Sequence, residues 1–213
     1  MNFVHLHASL TLTYMRNQYF ITRHGESIKN VKNIASSWPE KFYSPLTGRG
    51  KKQAKEVAEK LKAKKIDLIF SSDLLRTKQT AEIIGKKLGI KPKFDKRLRE
   101  VRIGIFNGKP LSEIGKFWRK KEGKLLPLKH YLRRYKFAPP GGENYLQTEK
   151  RMQGFLKDVD KKYSGKNILM VSHQRPLTLL ERAVSGQSRE KMVWKIINRE
   201  EIRTGEIKRL KIK

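Results

Sequence analysis

Short apolar runs alternate along this chain with segments whose apolar residues recur at helical spacing. Tyr19-Phe20-Ile21 reads as a buried strand, and Ile66 to Phe70 as a second. Asn167 to Ser172 reads as a third. Between the first two strands, Ala54, Val57, Ala58 and Leu61 fall at i, i+3, i+4 and i+7, with Thr47 placed to cap the helix they define. A second helix is predicted from about Leu74 to Leu88, stopped by Gly89. A third runs from about Glu143 to Tyr163, with Met152, Phe155, Leu156 and Val159 on one face. Pro176 suits the first turn of a fourth. Val193 to Ile197 and Ile207 to Ile212 read as edge strands. The stretch from Ile90 to Pro140 shows looser patterning and ends in the break Pro139-Pro140-Gly141-Gly142. Strands alternating with helices predict an α/β fold, a three-layer sandwich with helices on both faces of a mostly parallel sheet. One domain is expected over residues 16–213, after a dispensable lead-in at 1–15. A basic insertion at about 109–142 is expected to lie over one edge.

Composition narrows the partners. Lys and Arg number 50 against 20 Asp and Glu, a formal net charge of +30. Such an excess attracts anions: phosphorylated metabolites, nucleic acid or an anionic membrane face. The patch from Lys116 to Lys136 holds nine Lys or Arg against the single acid Glu122, interleaved with Phe117, Trp118, Tyr131 and Tyr135. Cysteine is absent, which excludes a disulfide framework, a thiolate zinc site and a cysteine nucleophile, and fits a cytoplasmic location. No run approaches the length of a membrane span. Nothing in the chain sets an oligomeric state.

The three strands all end in polar residues. The first runs into Thr22-Arg23-His24-Gly25-Glu26, the second into Ser71-Ser72-Asp73-Leu74-Leu75-Arg76, and the third into Ser172-His173-Gln174-Arg175. Open parallel sheets bind ligands beyond the carboxyl ends of their strands. If these strands are neighbours, Arg23, Arg76, His24 and His173 share one crevice. Guanidinium forks hold phosphoryl oxygens bidentately, and a neutral imidazole nitrogen attacks phosphorus. Set against this are ordinary alternatives: a hydrogen-bonded structural His, a solvated Arg76, a surface ion pair of Glu100 with Arg99 or Arg102. His5, His7 and His130 read as surface residues.

The ordered set of motifs resembles the histidine phosphatase superfamily, with its phosphoglycerate-mutase-like fold. The resemblance rests on Thr22-Arg23-His24-Gly25-Glu26-Ser27 with Asn30, and on Pro45-Leu46-Thr47 with Gly50 and Gln53-Ala54. It continues through Ser71 to Thr77 with Gln79-Thr80-Ala81, and Leu98-Arg99-Glu100 with Gly104, Phe106 and Gly108. Pro140-Gly141-Gly142-Glu143 and Val171-Ser172-His173 complete it. By resemblance, His24 is the nucleophile that becomes a phosphohistidine. Arg23, Asn30, Arg76 and His173 hold the phosphoryl oxygens, and Glu100 is the acid and then the base. Glu143 stands in support behind them. The expected activity is metal-independent, cofactor-free hydrolysis of a small phosphate ester. Gln174 stands where the family has glycine, and Phe106 where its phosphatases often have tryptophan. A cofactor-dependent phosphoglycerate mutase is the near rival. Glu100-Val101-Arg102-Ile103-Gly104 lacks the mutase-type segment, although Arg133 and Arg134 suit a second phosphate or a carboxylate. A non-catalytic anion- or nucleic-acid-binding protein on the same scaffold is the rival from another class.

Overall fold

A computed structural model of the chain describes residues 15–122 and 127–213. Five strands form one sheet: β1 (Gln18–Arg23), β2 (Leu68–Ser71), β3 (Lys93–Phe94), β4 (Asn167–Ser172) and β5 (Ile207–Arg209), in the order β3-β2-β4-β1-β5. All neighbours are parallel except β5, which runs antiparallel to β1. The α-helices among the described residues are α1 (Ile28–Val31), α2 (Gly48–Lys62), α3 (Leu75–Leu88), α4 (Leu111–Glu122), α5 (Pro127–Arg133), α6 (Tyr145–Lys162), α7 (Gln174–Ser185) and α8 (Arg189–Ile197). No helix among the described residues is long and apolar enough to cross a membrane.

The side-chain alternation of the central strands builds the two faces. Tyr19, Ile21, Ile168 and Met170 point to one side, where Met152, Phe155 and Leu156 of α6 and Leu177 and Leu180 of α7 cover them. Phe20, Leu169 and Val171 point to the other, against Val57, Ala58 and Leu61 of α2 and Ala81 and Ile84 of α3. The expected three-layer α/β sandwich is therefore present. Thr47 caps α2, its hydroxyl oxygen accepting from the Gly50 N–H at 3.0 Å. Gly89 ends α3 in the left-handed conformation, at φ 72°.

Two expectations are corrected. Val193 to Ile197 belongs to α8, not to an edge strand. Met192, Val193 and Ile196 recur at helical spacing and pack with Leu179, Tyr135 and Tyr145 in a third apolar cluster, so the β-branched composition is overridden by burial on one helix face. The loosely patterned stretch from Ile90 to Pro140 is also more ordered than its sequence suggests. It holds β3, two 3₁₀ turns and the helices α4 and α5. It reaches beyond the sheet edge, because Ile114, Trp118, His130 and Tyr131 line the same cavity as Arg23 at the end of the central strand β1.

Candidate active site

Parallel pairing brings the three polar strand ends level. Arg23 of β1 lies opposite Ser172 of β4, and Ser71 of β2 lies opposite Val171. The chains leaving these strands stay joined for one residue more: the His24 N–H donates to Ser172 O at 3.1 Å, and the Ser72 N–H donates to Val171 O at 3.1 Å. His24 and His173 thus meet across the β1–β4 pair, with ring centroids 5.3 Å apart. Arg76 enters from the first turn of α3 and is fully buried.

The loop after β1 is fixed by its glycine. A Cβ on Gly25 would stand 2.3 Å from Gly50 O, so the loop and the start of α2 approach as glycines alone permit. The Gly25 N–H donates to Thr80 Oγ1 of α3 at 3.1 Å, and the Glu26 N–H donates to Gln53 Oε1 of α2 at 2.8 Å. Gln79 Oε1 accepts from the Leu46 N–H at 2.8 Å. The polar helix residues in the quoted motifs are therefore clamps on the loops that carry the site.

His24 Nδ1 lies 2.7 Å from Gly25 O. A carbonyl only accepts, so Nδ1 carries the proton and Nε2 keeps its lone pair. Burial, and then the charges of Arg76, Arg23 and Lys29, hold His24 well below the ordinary histidine range. His173 is held down likewise by burial and then Arg76, and its Nε2 meets Ser72 Oγ at 3.1 Å. Both imidazoles are neutral near pH 7.

Six buried side-chain atoms of the described residues have no hydrogen-bond partner: Arg23 Nε, His24 Nε2, Ser36 Oγ, Arg76 Nε, Arg134 Nη1 and His173 Nδ1. Arg23, Ser36 and Arg134 line one cavity of about 500 Å³, Arg76 bonds to Ser36 O, and the His24 and His173 rings meet next to Arg23 at the strand ends. Buried polar groups are ordinarily satisfied, so their concentration here marks a place built for an absent polar group. Arg23, Asn30 and Glu100 line that cavity. Asn30 Oδ1 accepts from the N–H and the hydroxyl of Ser27, which turns α1 toward the site. Arg76 donates to Ser36 O at 3.2 Å and to Glu40 Oε1 at 3.4 Å, and burial lowers it to about 10.

The surface ion pair considered for Glu100 is not formed with Arg99, which instead grips Asp73 at 2.6 and 2.5 Å. Glu100 Oε1 accepts from the Val101 N–H at 2.9 Å, and its carboxylate bears on Arg23, Lys29 and Arg76. Its carbonyl accepts from Trp38 Nε1 at 3.0 Å and from Arg151 Nη2 at 3.1 Å. Glu143 holds Arg151 at 2.6 Å and also accepts from the Arg102 N–H at 3.0 Å. Glu143 thus sits one residue removed from Glu100. Gln174 opens α7 and lines the cavity, as does Arg175, which pairs with Glu201 at 2.8 Å.

Several residues stand elsewhere than their sequence context suggests. His130 is half-buried, lines the cavity and meets the rings of Trp118 and Tyr131 edge-on, so it is not a surface residue. His5 and His7 lie outside the described residues. The pair Arg133–Arg134 divides: Arg134 is 7% exposed and lines the cavity, while Arg133 lies over the exposed Phe137. Trp118 and Tyr135 of the basic patch are 3% and 2% exposed, so these two rings pack inward and offer no stacking surface to a nucleic acid. The side chains of residues 119–127, including Lys120, Lys121 and Lys124 of that patch, lie outside those described. Lys29 and Glu40 carry no motif signal; only the helical turn that places Lys29 beside Asn30 points to it.

The site thus gathers a buried pair of neutral imidazoles and two guanidinium groups beyond the carboxyl ends of parallel strands in an α/β sandwich. The profile of the histidine phosphatase superfamily (branch 1) matches residues 19–208, and the chain belongs to that family. A protein of Yersinia enterocolitica named a probable phosphoglycerate mutase GpmB is 32% identical over 177 residues, 79% of this chain and 75% of its own length. Among solved structures, YhfR of Bacillus stearothermophilus superposes with a TM-score of 0.71 at 27% identity, covering 83% of each chain. A phosphoglycerate mutase of Bacillus anthracis gives a TM-score of 0.67 at 26% identity, over 79% of this chain and 80% of its own. Family membership supports a phosphoric monoester hydrolase.

Proposed function

We propose that the chain is a metal-independent phosphatase that hydrolyses a small phosphate monoester through a phosphohistidine at His24. The observation that carries this is the unpartnered, neutral Nε2 of His24 beside unpartnered guanidinium nitrogens of Arg23 and Arg76. In the first step the Nε2 lone pair forms a bond to phosphorus. The ester P–O bond breaks, and its oxygen takes a proton from the Glu100 carboxyl group. Arg23, Asn30, Arg76 and His173 hold the equatorial oxygens, where the negative charge lies. In the second step water gives a proton to Glu100 and its oxygen bonds to phosphorus. The P–N bond then breaks and the electron pair returns to Nε2. The Nδ1 proton stays on its bond to Gly25 O throughout, which stabilises the phosphorylated ring.

The remainder of the cavity describes the alcohol. Phe106, Trp118, Tyr131 and Tyr145 supply apolar and aromatic wall, and Arg134 supplies an unpartnered Nη1. The substrate is accordingly a phosphate ester with a nonpolar face and a second anionic or acceptor group. The cysteine-free composition makes the cytoplasm its proposed location. Arg134, and the names of the relatives, favour one second reading, a phosphoglycerate mutase primed by a bisphosphate.

The deciding experiment is a phosphate-release assay over a panel of phosphorylated metabolites with His24→Ala as control. Acid-labile, base-stable phosphate on quenched wild-type protein is the expected companion result. Release undiminished in His24→Ala overturns the mechanism. Isomerisation of a phosphoglycerate faster than its hydrolysis selects the mutase.

A further inference from the structure

Lys29 lines the cavity beside Arg23 and Asn30 and is assigned no role by the motifs; unlike Arg175, which pairs with Glu201, it has no carboxylate partner among the described residues. Its backbone is pinned on both sides. The Lys29 N–H donates to Ser44 Oγ at 2.9 Å, and its carbonyl accepts from the Ile34 N–H at 3.0 Å. Ser44 in turn bonds to Ser27 at 3.2 Å, and Ser27 is fixed by Asn30. The side chain is therefore delivered to the cavity from a braced turn. Among the described residues it makes no ion pair, although the chain holds many exposed pairs elsewhere.

The charged and titratable groups facing Lys29 are Arg23 of β1, Arg76 of α3, Glu100, and the imidazoles of His24 and His173. Cations outnumber carboxylates in this set, and the two imidazoles are neutral. The missing charge is an anion, and the atoms left without partners on Arg23, Arg76 and His24 show where it goes.

Resting on the phosphatase reading of the site, we propose that the Lys29 ammonium is a third cation of the phosphoryl pocket, whose loss of a proton loosens the bound anion. Burial, and then Arg76, push Lys29 down to about 7, with Arg23 adding to the effect and Glu100 opposing it. Below that value the pocket presents three cations, and above it two, because Arg76 remains charged to about 10. Inorganic phosphate, the product, then leaves more readily on the alkaline side. A substrate carrying a single negative charge gains less from Lys29 than a dianion does.

Inorganic sulfate is the probe, since it stays a dianion across the range and its binding needs no turnover. Calorimetric titration of wild-type protein at pH 6 and pH 9 should show affinity falling about tenfold to a hundredfold, the worth of one charge-assisted hydrogen bond. Lys29→Arg should bind tightly at both values, and Lys29→Met weakly at both. In turnover, Lys29→Met should raise KM for dianionic esters more than it lowers kcat. A wild-type affinity independent of pH overturns the proposal. So does a slope that survives in Lys29→Arg, which would assign it to another group. Tight sulfate binding by Lys29→Met at pH 6 overturns it as well. If Lys29→Met does not fold, Lys29→Arg alone decides. Failure of the phosphatase reading shows separately, as His24→Ala retaining wild-type phosphate release.

Discussion

Replacing Arg76 by methionine should abolish turnover and yet stabilise the empty protein. Arg76 is fully buried, its Nε has no partner, and its pair with Glu40 is stretched to 3.4 Å. The lowering of the group to about 10, through burial first, with Glu100 and Glu40 opposing and Arg23 reinforcing, costs the folded state about 3 kcal/mol at neutral pH. The sign follows from linkage. A base that is harder to protonate when folded penalises folding at every pH below its folded value, and the penalty is relieved as pH rises through about 10. Against this, methionine loses the bond to Ser36 O, worth about 1–2 kcal/mol, while the contact with the partly exposed Glu40 is already included in that lowering. A net gain of about 1–2 kcal/mol raises Tm by about 2–8 °C at this chain length. Differential scanning calorimetry without added anion measures it, and phosphate release measures the loss of activity. Phosphate or sulfate should raise the wild-type Tm and leave the variant's nearly unchanged. A variant that melts below wild type, or that keeps more than a trace of activity, refutes the account of Arg76 as a cation held unsatisfied for its ligand.

Other outcomes follow from the same geometry. Glu100→Gln should slow alkyl phosphates by about 10²–10⁴ and activated aryl phosphates far less, since the latter need no proton delivered; equal slowing of both would return Glu100 to a structural role. Glu149→Leu removes the carboxylate that Arg182 grips at 2.5 and 2.8 Å and that accepts from the Tyr135 hydroxyl at 3.1 Å, leaving a half-buried cation and a buried hydroxyl unpaired at a cost of about 1–3 kcal/mol. Urea titration checks it, and a loss under 1 kcal/mol would contradict it. Raising ionic strength from about 0.01 to 0.15 M should lower kcat/KM for multiply charged esters and leave kcat nearly constant. Reversing the exposed Lys129 and Lys136 to Glu should flatten that dependence, and an unaltered slope would free the patch from any part in steering.

The site was legible where its chemistry lies next to a strand end. Arg23, His24, Ser72 and His173 follow directly from three apolar runs, and the parallel sheet puts those runs side by side. The faces were not legible there, because Tyr19, Phe20 and Ile21 are all apolar and only the packing assigns Tyr19 and Ile21 to one side and Phe20 to the other. Legibility failed where tertiary contact overrides local pattern. The β-branched run in α8 reads as strand until Tyr135 and Leu179 cover one side of it. His130 and Trp118 lie in a basic stretch whose charge masks their inward packing. Lys29 carries no motif of its own, and a lysine one residue before Asn30 looks solvated until Arg23, Arg76 and Glu100 are placed around it.

The register that sets Arg23 against Ser172 also governs how the enzyme comes into being. The two histidines lie near opposite ends of the chain, and Ser72 meets His173 across a sequence separation of 101 residues. No local hairpin or helix holds any two of the site's strand ends together, so phosphate affinity cannot arise in a fragment or an early intermediate. It appears when the last central strand, β4, inserts between β1 and β2. Such non-local closure is slow, because loop entropy is lost before the contacts that offset it form. Anion binding during refolding is therefore a readout of β4 insertion alone. Its rate should lag behind the helical signal of α2 and α3, which adjoin each other in sequence and in space.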